Sequence, residues 1–498
     1  MHTTNRQSEE ERGLVAPVEV GERPLERLGD VVPTKTLEHT RQQLSALRGQ
    51  LDGRTLWNVN STARGGGVAE MLQSLLAYVR GAGMDAHWLT ISGDAEFFRI
   101  TKRLHNALHG ARGDGSALGM RARRHYESIL ARNSAELDTL MHAGDVVLLH
   151  DPQTAGLIPD LTRKGCLVVW RCHIGVDMRN AETECGWSFL REYLEHAHAY
   201  VFTREAYVPD YLPLERCAII APSIDPLTAK NQPMSETQVL AILTHTGIIE
   251  STCDTSPREF LRTIGVPGRV ERCADVLRLG RAPLTETPLI VQVSRWDRLK
   301  DPIGVLYGFE LLVDRSVDHG AELVLAGPNV TAVADDPEGA AVYDEVVEAW
   351  RQLDHDVRRR VHLVNLPMHD VDENAAIVNA LQRHAAIIVQ KSLQEGFGLT
   401  VTEAMWKGRP LIASGVGGIR DQIVEGESGL LLPDPTDSAA FADCLERILT
   451  DQELAEKLGR NARQRALELF LCNRHLAQYR SLLVELDKGK QKNIAKGA

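Results

Sequence analysis

The residues best equipped for chemistry lie in the second half of the chain. Arg295 and Lys300, with four residues between them, follow the apolar run 289–293. Glu395 and Glu403, with seven residues between them, lie in the stretch EGFGLTVTEA. An apolar run at 385–389 leads into that stretch and reads as a short buried strand. Gly396, Phe397 and Gly398 then turn the chain, and a helix is expected from Leu399 to Lys407, stopped by Gly408 and Pro410. Strand, glycine turn and helix start leave backbone N–H groups at the positive end of a helix dipole, which suits an anion. Carboxylates accept hydrogen bonds and suit hydroxyls. Together these groups imply a ligand with both phosphates and hydroxyls, as a nucleotide sugar has. Spacing alone leaves a plainer role open, in which Glu403 complements the helix dipole and the glycines only turn the chain.

A second set of candidates lies in the first half. The loop Gly65-Gly66-Gly67 falls between a strand expected at 55–60 and an amphipathic helix expected at 68–80, again an anion-binding arrangement. The apolar runs 146–149 and 167–170 read as strands and end in His150-Asp151-Pro152 and Arg171-Cys172-His173. Polar residues just past the C-terminal ends of apolar strands mark the ligand edge of an open parallel α/β sheet. His150, Asp151 and His173 are therefore binding candidates, with capping or solvation as the plainer role of each.

The elements that must position these residues alternate between short apolar runs and longer helical stretches, the pattern of an α/β protein. A chain of 498 residues exceeds one core, so two domains are expected. The net charge of −12 argues against nucleic acid as the main partner. The opening MHTTNRQSEEERG has no apolar run of a secretory signal, and no stretch approaches the roughly 20 apolar residues that span a bilayer. A cytoplasmic protein without a membrane partner is expected. Eight cysteines with no C-x-x-C pair fit free thiols, and the spacing of Cys166, Cys172, His173 and Cys185 is too irregular for a zinc site. Residues 1–35 are expected to be poorly ordered. A first domain is expected at 36–280 and a second at 281–470, with the proline-rich stretch 277–288 as linker.

The pattern Arg-x4-Lys after a strand, then Glu-x7-Glu inside EGFGLTVTEA, resembles the retaining glycosyltransferases of the GT-B fold, family 4. The segments WNVNSTARGGGVAEML, LLHDPQ, WRCHIG, PSIDPL and QKSLQEGFGLTVTEAMWKGRP are most similar to the trehalose synthases that join a nucleotide-activated glucose to free glucose. They are also similar to the retaining trehalose phosphorylases. The resemblance covers the chain from about residue 36. It implies two Rossmann-like, doubly wound domains facing each other across a cleft, and a C-terminal helix and tail at 471–498 that pack back on the first domain.

The resemblance also implies roles. Arg295, Lys300, the Gly65–67 amides and the helix start at Gly396, Phe397, Gly398 and Leu399 would hold the nucleoside diphosphate, so no metal or other cofactor is required. No D-x-D is expected beside a strand to hold a metal. Glu403 would take the ribose hydroxyls and Glu395 the donor hexose. His173 would bind donor or acceptor hydroxyls, Asp151 and His150 would hold the acceptor, and Arg171 would exclude water or seat a phosphate. Transfer would run on the front face, with the leaving phosphate helping to deprotonate the acceptor hydroxyl. Inorganic phosphate in place of the nucleotide, another small acceptor, a non-catalytic sensor of nucleotide sugar, and a homodimer all stay open, as does the choice of UDP or ADP.

Overall fold

Two seven-stranded sheets carry the chain, whose computed structural model describes residues 13–63, 66–252, 256–315, 319–330 and 337–496. The first sheet comprises β1 (Val15–Val18), β2 (Leu56–Asn60), β3 (Ala86–Ile91), β4 (Val146–His150), β5 (Leu167–Cys172), β6 (Ala199–Phe202) and β7 (Cys217–Ile219). Their order is β1-β3-β2-β4-β5-β6-β7. All pairs are parallel except β1 with β3. β4 and β5 are buried over their whole length, as continuous apolar runs are when helices cover both faces of a parallel sheet. The parallel series begins at β2 and grows to either side of it, so a crevice opens at the C-terminal ends of β2 and β4.

A small hairpin of β8 (Glu259–Leu261) and β9 (Pro267–Arg269) precedes the second sheet. That sheet comprises β10 (Asp275–Leu277), β11 (Leu289–Val293), β12 (Glu322–Pro328), β13 (Val361–Leu366), β14 (Ile387–Gln390), β15 (Leu411–Ser414) and β16 (Leu430–Leu432). The order is β10-β13-β12-β11-β14-β15-β16, parallel except for β10 with β13. Here the series switches sides between β11 and β14, the strands that precede the Lys300 and Glu395 loops.

The chain divides into two compact units, one of residues 1–222 and 472–498, the other of residues 223–471. This differs from the expected boundary near 280. Residues 223–280 belong with the second sheet because β10 pairs with β13 and because Asn379 donates to the carbonyls of Ala229 and Gln232 at 3.0 and 2.9 Å. The chain returns to the first unit with the helix Cys472–Lys496. That helix runs along Thr34–Gln50, where Gln50 donates to the Leu483 carbonyl at 2.8 Å and Arg54 pairs with Asp487 at 3.1 Å. The expected disorder of 1–35 does not hold for residues 13–35. β1 pairs with β3, and the amides of Leu14 and Val15 both bind the Glu136 carboxylate, at 2.8 and 2.9 Å. Residues 1–12 lie outside the described residues. Among the described residues, no helix is long and apolar enough to cross a membrane.

Candidate active site

In the second unit, the chain leaves β11 and makes the tight turn Arg298–Lys300. Asp297 caps that turn: its carboxylate accepts the Leu299 N–H at 2.8 Å and faces Arg295 at 3.1 Å. Gln292, buried in β11, donates to the Lys300 carbonyl at 2.9 Å and accepts the Lys391 N–H at 3.2 Å. One side chain thus ties the loop after β11 to the loop after β14, and Lys300 Nζ donates to the Glu395 carboxylate. The pair is largely buried, whereas Arg295 is 66% exposed. Asp301 holds φ at 48°, a region that non-glycine residues rarely enter. Its carboxylate caps the helix Pro302–Val313 through the Gly304 N–H at 3.1 Å and pairs with the buried Lys391.

The turn between Glu395 and Gly398 is braced from behind. Gln422 donates to the Phe397 carbonyl at 2.5 Å, and the Gly418 N–H donates to the Gly396 carbonyl at 3.2 Å. A Cβ on Gly418 would stand 2.7 Å from Phe397 Cα, so this close approach needs glycine. Gly398, at φ 85°, begins the helix Leu399–Lys407. Among the described residues no acceptor meets the N–H of Leu399 or Thr400. These amides and Lys300, which reaches the same turn through its pair with Glu395, can together hold an anion. Glu403 is 3% exposed, with Lys230 Nζ 3.5 Å from its carboxylate. Lys407 is close by, donating to Asn231 Oδ1 at 2.6 Å. Burial pushes its ammonium well below the usual range, while Glu403 pulls it back up.

In the first unit, β4 delivers His150 and Asp151 to the crevice. Asp151 also holds a left-handed backbone, φ 65°. Its N–H bonds the Arg171 carbonyl at 2.8 Å, and its carbonyl accepts the Trp170 indole N–H at 3.1 Å, so the neighbouring strand locks the strained residue. Asp151 Oδ1 accepts the His173 N–H at 2.8 Å, and among the described residues no other donor reaches this carboxyl group. Burial pushes its pKa up to about 7, against the His173 N–H and the Arg171 charge. His150 Nδ1 stands 3.1 Å from His173 Nε2, and His150 Nε2 stands 3.0 Å from Asn58 Oδ1. Burial, then the Arg171 charge, pushes His150 down to about 3 and holds His173 well below the usual imidazole range.

Arg171 is fully buried and donates to His173 Nδ1 at 3.3 Å, to the Ile220 carbonyl at 3.1 Å, to Tyr479 Oη at 2.5 Å and to His475 Nε2 at 3.0 Å. Gly66, at φ 84°, starts the helix Gly67–Gly81, as the glycine loop suggested, while Gly65 lies outside the described residues. The structure thus brings His150, Asp151, Arg171 and His173 together in one unit, and Lys300, Glu395 and the helix start in the other. Asn58, Lys230, Lys391, His475 and Tyr479 were not anticipated. The polar Asn58 between apolar neighbours in the buried strand β2 was the one readable signal.

Contrary to the expectation that no D-x-D lies beside a strand, two flank β13: Asp354-His355-Asp356 before it and Asp370-Val371-Asp372 after it. The second is spent on structure. Asp370 caps the helix Val371–His384 and pairs with Arg262 at 2.7 Å, and Asp372 accepts the Thr263 hydroxyl at 2.6 Å.

Residues 58–209 match the family model "Trehalose synthase, N-terminal domain", and residues 281–465 match "Glycosyl transferases group 1". A trehalose synthase of Pyrococcus horikoshii is 33% identical over 94% of this chain and 97% of its own length. The chain belongs to the trehalose synthase family. A family member from Rubrobacter xylanophilus is 32% identical over 89% of this chain and 93% of its own. A trehalose phosphorylase of Grifola frondosa is 27% identical over 81% of this chain, which spans 53% of that protein. Among solved structures, sucrose-phosphate synthase from Thermosynechococcus elongatus aligns with a TM-score of 0.57 at 18% identity, over 89% of this chain and all of that one. "Trehalose-6-phosphate from E. coli bound with UDP-2-fluoro glucose" aligns at 0.62 and 13%, over 86% of this chain and 99% of that one. The fold is GT-B, and this trehalose synthase family member is a glycosyltransferase of trehalose-related chemistry. Its first matched span contains Asn58, His150, Asp151, Arg171 and His173. The second contains Arg295, Lys300, Glu395 and Glu403, and His475 and Tyr479 lie beyond both.

Proposed function

We propose that this family member transfers glucose from a nucleoside diphosphate glucose to free glucose, with retention, forming α,α-trehalose reversibly. The observation that carries this is the division of chemistry between the two units. Lys300, Arg295 and the N–H groups of the helix Leu399–Lys407 make a cationic site for a diphosphate leaving group. Such fixed charges stabilise a developing anion better in a protein site than in bulk water. Asp151 offers a carboxylate oxygen to a neutral sugar hydroxyl.

In the proposed step the acceptor oxygen bonds to C1 as the C1–O bond to phosphate breaks. The hydroxyl proton passes to a phosphate oxygen. Arg171, whose charge acts on Asp151, spends its N–H groups on His173, His475, Tyr479 and Ile220, which supports a neutral acceptor over a sugar phosphate. Glu403, with Lys230 beside it, can bind ribose hydroxyls and supports a nucleotide donor. The phosphorylase relative favours a second reading, in which inorganic phosphate uses the same cations.

The test is product analysis after incubation with UDP-, ADP- and GDP-glucose, with glucose or glucose 6-phosphate as acceptor, and with trehalose plus phosphate. α,α-Trehalose from a nucleotide donor and glucose is expected. Trehalose 6-phosphate as sole product, or phosphorolysis without nucleotide-dependent synthesis, would overturn the reading.

A further inference from the structure

His475 and Tyr479 stand one turn apart on the C-terminal helix, their rings stacked with centroids 5.2 Å apart. Both face Arg171, which no carboxylate pairs among the described residues. Burying a guanidinium is costly unless its N–H groups are satisfied. Here two imidazoles, a phenol and a carbonyl satisfy them.

Arginine can only donate, and this sets proton positions beyond it. His173 Nδ1 faces Arg171 Nε and must present a lone pair, so the proton of a neutral His173 sits on Nε2. That N–H donates to His150 Nδ1 at 3.1 Å, which places the His150 proton on Nε2, directed at Asn58 Oδ1 at 3.0 Å. The chain of bonds has one direction, from Arg171 to Asn58. It borders Asp151, whose carboxyl group is tied to the backbone of His173. Tyr479 and His475 fix where Arg171 points, so the C-terminal helix reaches the acceptor half-site through one guanidinium.

We infer that His475 and Tyr479 are positioning residues of the acceptor half-site, clamping Arg171 so that it orders His173 and His150 beside the sugar bound at Asp151. The inference rests on the proposed reading of this half-site as the acceptor's.

Two measurements on the full chain separate the two claims. The first needs no substrate. Nitrogen-15 NMR of histidine-labelled protein reads each imidazole tautomer, with His150→Asn and His173→Asn providing assignments. Wild type should show Nε2–H tautomers for both residues, and His475→Leu should convert His173 to a mixture. The second is kinetic. His475→Leu and Tyr479→Phe should each raise KM for glucose by ~10-fold, the scale of one lost hydrogen bond, with kcat and nucleoside diphosphate affinity nearly unchanged. His475→Gln keeps an acceptor facing Arg171 and should recover most of the loss. It also serves if the leucine variant does not fold.

Wild-type tautomers in a folded His475→Leu protein would overturn the clamp whatever the activity. Altered tautomers with an unchanged KM for glucose would overturn its bearing on the acceptor. A wild type that orders its histidines as described but never uses glucose would sink the functional reading, and the acceptor role with it, while leaving the clamp as observed.

Discussion

Asp151 Oδ1 accepts the backbone N–H of His173 at 2.8 Å, which joins the residue after β4 to the residue after β5. One oxygen of the carboxyl group is thereby committed to the sheet edge, and the other remains for a ligand. The same burial that makes the contact raises the Asp151 pKa to about 7.

Use of the acceptor should therefore depend on pH. An ionised Asp151 accepts hydrogen bonds from sugar hydroxyls at its remaining oxygen, and protonation removes part of that capacity. With the pKa near 7, kcat/KM for the acceptor should climb from about pH 6 to about pH 8. Asp151→Asn should lose both the activity and the titration. A flat acceptor profile across that range in wild type would contradict the assignment.

Acid should destabilise the first unit through its buried imidazoles. His150 titrates near 3 in the fold against an ordinary 6.5, and His173 and His475 are lowered in the same direction by burial and Arg171. Unfolding below pH 6.5 lets each bind a proton, so their contribution is complete above that value and is lost as the pH falls, for His150 toward 3. Asp151 runs the other way. Raised from 3.8 to about 7, it contributes fully below 3.8 and loses that contribution as the pH rises to 7. Three imidazoles outweigh one carboxyl group, so the urea midpoint should fall between pH 7 and pH 5. His150→Asn should flatten that dependence, and an equally steep fall in the variant would remove His150 from the account.

Lys300→Ala and Arg295→Ala should each lower turnover by at least ~10²-fold, the scale of losing one group that stabilises transition-state charge. Lys300 is held by Glu395, and Arg295 by Asp297, on the loop after β11. Turnover near that of wild type in either variant would take that residue out of the role.

Activity should survive EDTA. Two cations and the N–H groups of Leu399 and Thr400, which meet no acceptor among the described residues, supply the positive charge, and Asp370 and Asp372 are engaged with Arg262 and Thr263. Loss of activity with EDTA, restored by magnesium or manganese, would contradict this.

Gly418→Ala should weaken nucleotide binding without touching a charged group. Its new Cβ would meet Phe397 Cα at 2.7 Å and must push the Glu395–Gly398 turn outward. A stability cost of about 1–3 kcal/mol is expected for such overpacking. Unchanged nucleotide affinity, read by calorimetry, would show that the turn tolerates the shift.

What the amino-acid sequence alone determined here is local. A strand followed by Glu395, Gly396, Phe397 and Gly398 and then a helix is one contiguous segment, so the strand, turn and helix start of the candidate anion site are legible in it. The same holds for His150-Asp151 and for Arg171-Cys172-His173, because strand ends announce themselves by a change from apolar to polar residues. The tertiary structure alone decided which distant groups meet. His150 finds Asn58 across 92 positions and Arg171 finds His475 across 304, and no period or motif spans such separations. It also decided where the units divide. A proline-rich stretch reads as a linker, but the partner of β10 is β13, and strand pairing outranks local composition. Protonation was the last property to become readable. Aspartate and histidine have ordinary pKa values in a sequence, and only burial among particular neighbours moves Asp151 up to about 7 and His150 down to about 3, because the cost of a charge depends on everything packed around it.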